Sequence, residues 1–193
     1  MLKKMRGFTL IEMLIVVAII GILAALLIPN AMSALQKAKQ KGTVKDINTI
    51  AAGLMDYVTD KGGFKDTTVH DGVLSETGDT LVQALQGFYL KVFPVKDQWG
   101  NLFYVYTGAS ATGASAFGLT VTDPAEDDFV VASSGRNTAT NDYQGYDPTN
   151  PSTGLYEVTK MSDFNYEIVN WNGSMVIGPR TAAGSTTGSG TTT

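Results

Sequence analysis

Glu12 is the residue whose chemistry stands out first. It is a carboxylate near the start of an apolar run in which residues 13–28 carry no charge. In a lipid-spanning helix a charge costs about 2.5–3.5 kcal/mol at mid-bilayer and somewhat less near the end of the span. An acid tolerated there is by default functional and needs a partner. The remaining titratable groups offer less. His70 is the single histidine, so a multi-histidine metal site is excluded and a Ser-His-Asp triad has one base to draw on. It stands beside Asp71 in a polar stretch and reads as a solvated turn residue rather than a base. Glu126, Asp127 and Asp128 are consecutive, and neighbours on a strand diverge, which argues against a working carboxylate pair. The lack of cysteine excludes disulfide scaffolds, thiolate zinc sites, iron–sulfur clusters and thiol nucleophiles. No Gly-x-Ser-x-Gly, Walker, dinucleotide or zinc motif occurs. The expectation is a structural protein, not an enzyme.

The element that must position Glu12 is an N-terminal helix. Of the 21 residues at 8–28, 18 are apolar. At 1.5 Å per residue they span about 30 Å, the hydrocarbon thickness of a bilayer. Lys3, Lys4 and Arg6 lie immediately before them, so the positive-inside rule predicts a single pass with the N-terminus cytoplasmic. The net charge of −4 conceals the same division. Residues 1–45 hold seven basic residues and one acid, whereas residues 46–193 hold seven basic and seventeen acidic ones. An acidic outer domain repels phosphate backbones, which excludes non-specific nucleic-acid binding through it. A cleaved signal peptide, with a small-residue site near Ala31 and Ser33, and a plain signal anchor are competing readings. Neither accounts for Glu12.

Lys3-Lys4-Met5-Arg6-Gly7 followed by Phe8-Thr9-Leu10-Ile11-Glu12 resembles the prepilin signature of type IV pilins and type II secretion pseudopilins. The resemblance implies cleavage between Gly7 and Phe8 by a prepilin peptidase and N-methylation of Phe8. It also implies that Glu12 pairs with the N-terminal amine of a neighbouring subunit as apolar helices bundle into a filament. An unpaired buried charge is strongly destabilising, so Glu12 would select the axial register. Glu12 stands four positions after Phe8, one helical turn, which places both on one face. Gly21 and Pro29 each weaken the helix. In similar filaments this segment unwinds; a simple kink is the other reading. Beyond Pro29, Leu35, Val44, Ile47, Ala51, Leu54 and Val58 mark an amphipathic helix closed by Gly62 and Gly63. Lys37, Lys39, Lys41 and Lys45 line its other side as a solvated face, or one meeting headgroups or acidic neighbours.

A second stretch resembles the major pseudopilin of type II secretion: Leu81 and Leu85, Tyr89-Leu90-Lys91, Pro94, Asp97, Trp99-Gly100-Asn101 and Tyr104. Gln98 and Leu102 depart from it, standing where the family usually has prolines. Residues 97 and 99–101 are read as a structural loop, a turn before a strand at 102–106. In major pseudopilins a later Ser-x-Gly-x-Asp-Gly segment binds calcium. The resemblance nominates Ser134, Asn137, Asp142 and Asp163 here, with Ser133 and Gly135 beside them. The Asp-Gly pair is missing, and Arg136 puts a cation where calcium needs six to eight oxygens. No cofactor is required. Calcium and a metal-free hydrogen-bonded loop both stay open, the second preferred.

Further expectations are a polar loop at 64–80, a small-residue loop through the repeat Thr107-Gly108-Ala109-Ser110-Ala111 and its copy at 112–116, and strands near 117–122 and 129–133. A hairpin at 166–178 turns at Asn172 and Gly173. The whole is α+β, a pilin-like fold with a long N-terminal helix on a small antiparallel sheet. Its parts are a leader at 1–7, a membrane or filament-core helix at 8–29, an amphipathic helix at 30–61, a globular domain at 62–180 and a disordered tail at 181–193. The implied role is a filament subunit, first a type II secretion pseudopilin in a periplasmic pseudopilus. A type IV pilus subunit and a monomeric membrane-anchored binding domain are the alternatives. The implied partners are copies of itself, a prepilin peptidase, an inner-membrane assembly platform, minor pilins or pseudopilins, and the membrane.

Overall fold

The computed structural model describes residues 7–65, 68–140, 142 and 145–180. Lys3, Lys4 and Arg6 of the leader, and the tail at 181–193, lie outside the described residues. Two compact units divide the chain between Ala38 and Lys39. Helix α1, Leu10–Lys61, begins in the first and ends in the second.

In the first unit the helix runs without interruption through Gly21 and Pro29. Pro29 has no N–H for the Ala25 carbonyl, and a Cβ on Gly21 would meet nothing within 4 Å. Large apolar side chains here stand open, from 82% exposed at Leu10 down to 44% at Met13. Left in water, such a surface is unfavourable, so this segment needs lipid or protein around it. It is long and apolar enough to cross a membrane.

In the second unit α1 turns one stripe inward. Ile47, Ile50, Ala51 and Leu54 are buried against Phe103, Val105, Phe129, Val131 and Ile168. Each large side chain so buried contributes about 1.5–3 kcal/mol. The helix stops where Gly62 takes a φ of 76° and its N–H caps the Val58 carbonyl at 2.7 Å. Beyond it come β1 (Asp71–Val73), α2 (Thr80–Leu85), β2 (Tyr104–Thr107), β3 (Phe129–Ser133), β4 (Leu155–Tyr156), β5 (Ile168–Trp171) and β6 (Ser174–Pro179). The sheet order is β1-β2-β3-β5-β6-β4. Strand pairs are antiparallel except β4 with β6, which are parallel. The fold is therefore α+β and pilin-like, with one parallel edge on the sheet.

Alternate residues of the strands supply a second core. Tyr106, Val130, Ala132 and Val169 face a 3-10 helix, Gly108–Phe117, and bury Ala111, Ala114 and Phe117 beneath it. β3 is buried along its whole length because both faces are covered.

Here the structure corrects three sequence expectations. The small-residue repeat is a 3-10 helix, not a loop: Gly108, Ala111, Ala114 and Phe117 recur at three-residue spacing and share one buried stripe. No strand forms at 117–122; Gly118 caps the 3-10 helix in the left-handed region, and Leu119 and Val121 are buried outside any strand. The segment expected as a polar loop contains β1, whose Gly72 pairs with Val105.

Candidate functional site

Thr9 and Glu12 form the start of α1. The Thr9 N–H and hydroxyl both donate to Glu12 Oε2, each at 2.8 Å. The Glu12 N–H returns a bond to the Thr9 hydroxyl oxygen at 3.3 Å. This reciprocal arrangement is a capping box, with Thr9 as N-cap and Glu12 as third helical residue. Glu12 Oε1 has no partner among the described residues. Phe8 precedes the cap and is 81% exposed, and Gly7 before it is exposed too. The expectation that Phe8 and Glu12 share a helical turn is thereby corrected: the helix begins at Leu10 and Phe8 lies outside it.

A second constellation surrounds Asp97. Its Oδ1 accepts the N–H groups of Trp99 and Asn101, each at 2.9 Å, and its Oδ2 accepts the Ser133 hydroxyl at 2.9 Å. Gly100 sits at φ 96°, the left-handed conformation that the turn requires. Asn101 Nδ2 reaches the Gly135 carbonyl at 2.7 Å. Burial pushes the Asp97 carboxyl above its usual range, although the N–H and hydroxyl donors oppose the shift. Trp99 packs on the core shared by α1 and the sheet. The chemistry is that of a latch joining the turn to the end of β3.

Gln98 ties the same turn to α1. Its backbone N–H donates to the Thr43 hydroxyl at 3.2 Å and its side-chain amide donates to Asp46 at 2.7 Å. A proline at this position would have no N–H to give. A Cβ on Gly42 would come within 2.7 Å of Gln98 Cγ, so that glycine makes the approach open.

The calcium candidates are dispersed among hydrogen bonds. Asn137 Nδ2 donates to Asp142 Oδ2 at 2.5 Å, while the Asn137 side-chain oxygen accepts the Ala139 N–H. Asp163 caps a different segment, accepting the N–H groups of Thr159 and Lys160 at 2.8 and 2.7 Å. Ser134 is buried at the end of β3, and Arg136 donates to Asn165 at 3.1 Å. Among the described residues no three His, Cys, Asp or Glu side chains gather to hold a metal. Glu167 Oε1 accepts the Asp142 N–H, so the described side chains around Asn137 and Asp142 are engaged in hydrogen bonds with one another and with neighbouring backbone.

The chain matches the prokaryotic N-terminal methylation motif over residues 2–28. It is 36% identical over 117 residues to type II secretion system core protein G of Vibrio cholerae, covering 58% of this chain and 80% of that protein. The corresponding protein of Pseudomonas aeruginosa is 40% identical over 102 residues, or 51% and 71% of the two chains. That of Escherichia coli is 35% identical over 115 residues, or 58% and 77%. The chain belongs to the type II secretion core protein G family. It is a pseudopilin, a structural subunit carrying a prepilin motif and an apolar N-terminal helix. No solved structure matches it.

One contact in this pseudopilin went unread in the sequence. His70 is not a solvated turn residue: Nδ1 lies 2.8 Å from the Val105 carbonyl and Nε2 lies 3.0 Å from Asp79 Oδ2. Asp79 also accepts the Ser75 N–H at 3.1 Å and the Leu81 N–H at 3.0 Å, capping α2. Burial works against its negative charge, but Ser75, His70 and Val82 together hold its carboxyl below the usual range. The available signal was an N-cap aspartate before Thr80, nine residues from the one histidine.

Proposed function

We propose that this pseudopilin is cut between Gly7 and Phe8 by a prepilin peptidase, is methylated on Phe8, and polymerises with copies of itself into a periplasmic pseudopilus serving protein export. The observation that carries this reading is Glu12, set in an apolar helix with one oxygen shared with Thr9 and the other open. The open oxygen suits the amine of a neighbouring subunit's Phe8, and the exposed apolar segment suits lipid before assembly and other helices after it. Lys3, Lys4 and Arg6 orient the precursor with its N-terminus in the cytoplasm, and cleavage discards them. Gly21 and Pro29 mark where α1 yields when the fibre forms. An inner-membrane assembly platform and minor pseudopilins complete the partners. The subunit acts by assembly and not by catalysis.

The test is Glu12→Ala followed through membrane fractionation and filament shearing. The variant should insert into the membrane normally and fail to enter filaments. Normal filaments from it would sink the register argument. Sequencing of the mature N-terminus should begin at N-methylated Phe8; a start at Met1 or near Ala34 would overturn the processing reading.

A further inference from the structure

An open groove runs along α1 beside the Tyr89–Leu90 segment. Lys41, Val44, Lys45 and Ala52 lie along it, Tyr89 and Leu90 form its wall, and Asp56 stands at the end farthest from Lys41, so the positive charge is confined to the Lys41–Lys45 end. Phe88, 81% exposed, meets the Tyr89 ring edge-on at 4.8 Å and extends the apolar margin. Lys41 and Lys45 are exposed, and their ammonium groups have no partner among the described residues.

A surface of opposite sign lies at the other end of the same helical segment. The turn at 123–128 packs on the chain just past α1, where the Phe64 N–H donates to the Glu126 carbonyl at 2.8 Å. Asp123, Glu126 and Asp127 are exposed there, around the small apolar tip of Pro124 and Ala125. The turn has a fixed shape. Asp128 accepts the Ala125 N–H at 2.8 Å and the Asn172 side-chain amide at 2.5 Å, and Asp123 holds a φ of 53°. Lys65 reaches Glu126 at 3.9 Å, which leaves Asp123 and Asp127 without a cation among the described residues.

We infer that the groove at Lys41 and Lys45 receives the acidic turn of a second copy of this chain. Asp123 and Asp127 of that copy meet the two lysines, and its Pro124 and Ala125 lie against Val44, Tyr89 and Leu90. The complementary patches are separated on each subunit, since the sixteen residues from Lys45 to Lys61 rise about 24 Å along the helix. A contact between two different patches is head-to-tail, and repetition of it extends a fibre instead of closing a dimer. A turn that is already ordered loses little freedom on docking. The inference rests on the filament reading above and adds the surface through which the globular parts register.

The cysteine-free sequence permits a direct test. Lys45→Cys and Asp127→Cys are placed together in the full-length chain and filaments are oxidised. The two positions are too far apart within one chain for a disulfide, so every bridge joins copies. A ladder of cross-linked multimers is expected, with no more than dimers from either single variant. Wild-type filaments forming alongside variant filaments that give no ladder would overturn the docking and leave the filament reading standing. Absence of wild-type filaments would overturn both. Should the cysteine pair impair assembly, charge reversal decides: Lys45→Glu and Asp127→Lys should each lower filament yield about fivefold, and the two together should restore it. Failure of the combined variant to recover counts against the pairing. Lysine acylation supplies an independent reading. Protection of Lys41 and Lys45 on assembly supports the docking, and equal protection of unassembled subunits by vesicles of anionic lipid would assign the patch to headgroups and overturn it.

Discussion

Thr9 and Glu12 close on each other at the start of α1, with both Thr9 donors on Glu12 Oε2 at 2.8 Å. The carboxylate that the apolar helix carries is therefore half satisfied within its own chain. Two donors on one oxygen keep the side chain turned toward the helix start, and the other oxygen remains open. An acid so placed keeps one oxygen with capacity for a cation, as the proposed assembly through this residue requires.

Replacing Thr9 by Val keeps the shape and removes the hydroxyl. The helix should lose a cap worth about 0.5–2 kcal/mol, and Glu12 one of its two donors. Membrane insertion should be unchanged while filament yield falls. Thr9→Ser keeps the donor and should assemble nearly as well as wild type. Shearing and immunoblotting of the two variants side by side is the measurement; equal yields would remove Thr9 from the mechanism.

Asp97 should tolerate Asn far better than Ala. The amide oxygen can still accept from Trp99 and Asn101, whereas Ala strands those N–H groups and the Ser133 hydroxyl, at a cost of about 2–4 kcal/mol. The pH dependence has a definite sign. A carboxyl raised in the folded state favours the protonated form, so its contribution is present below the unfolded value of about 3.9 and is lost as pH rises through the folded one. Asp97→Asn should lack that limb in thermal melts between pH 3 and 7. An Asn variant as unstable as the Ala variant would refute the latch.

Most of the architecture was legible because it rests on local pattern. The apolar run, the stripe through Ile47, Ala51 and Leu54, and the Asn172-Gly173 hairpin each follow from spacing or turn chemistry. The repeat at 107–116 was not, because glycine, alanine and serine carry little hydrophobic contrast and a period of three becomes visible only when a sheet covers one side. His70 was misread for a related cause. Its partners Val105 and Asp79 lie 35 and nine residues away, and the paired strands bring one of them beside it. Gln98 looked like a departure in the turn and proves to be its tie to Thr43 and Asp46.

Three glycines of α1 should respond differently to alanine. A helix interior favours Ala over Gly by about 1 kcal/mol, and at Gly21 no other atom of the subunit outside the neighbouring helix backbone comes within 4 Å of the added Cβ. At Gly53 the new Cβ would meet buried Leu90 at 2.6–2.9 Å, and overpacking of about 1–3 kcal/mol should outweigh it. At Gly42 the obstacle is the flexible Gln98 side chain, which can move at the loss of its bond to Asp46, so the net change should be under about 1 kcal/mol. Denaturant melts of Gly42→Ala and Gly53→Ala give the order; a Gly53 variant at least as stable as wild type would contradict it.

The loop holding Asn137 and Asp142 should be indifferent to calcium. Its described side chains are spent on one another and on neighbouring N–H groups. Thermal midpoints with chelator and with added calcium should coincide. A rise with calcium of more than a few degrees would show that the loop rearranges into a metal site.

Asp79 provides the opposite pH response to Asp97. Its carboxyl is held below the usual range, so its stabilisation is complete above the unfolded value of about 3.9 and disappears as pH falls through the lower folded value. Asp79→Asn would turn an amide toward the Ser75 N–H and the His70 ring while keeping an oxygen for Leu81 and Val82. The loss at pH 7 should be about 1–3 kcal/mol. It should narrow as the wild-type carboxylate is protonated in acid. His70→Gln should reproduce part of the loss at pH 7, since the ring also holds the Val105 carbonyl at 2.8 Å. Urea melts at pH 7 and pH 3 measure both. A gap between Asp79→Asn and wild type that is as wide at pH 3 as at pH 7 would show that shape, not charge, is what Asp79 supplies.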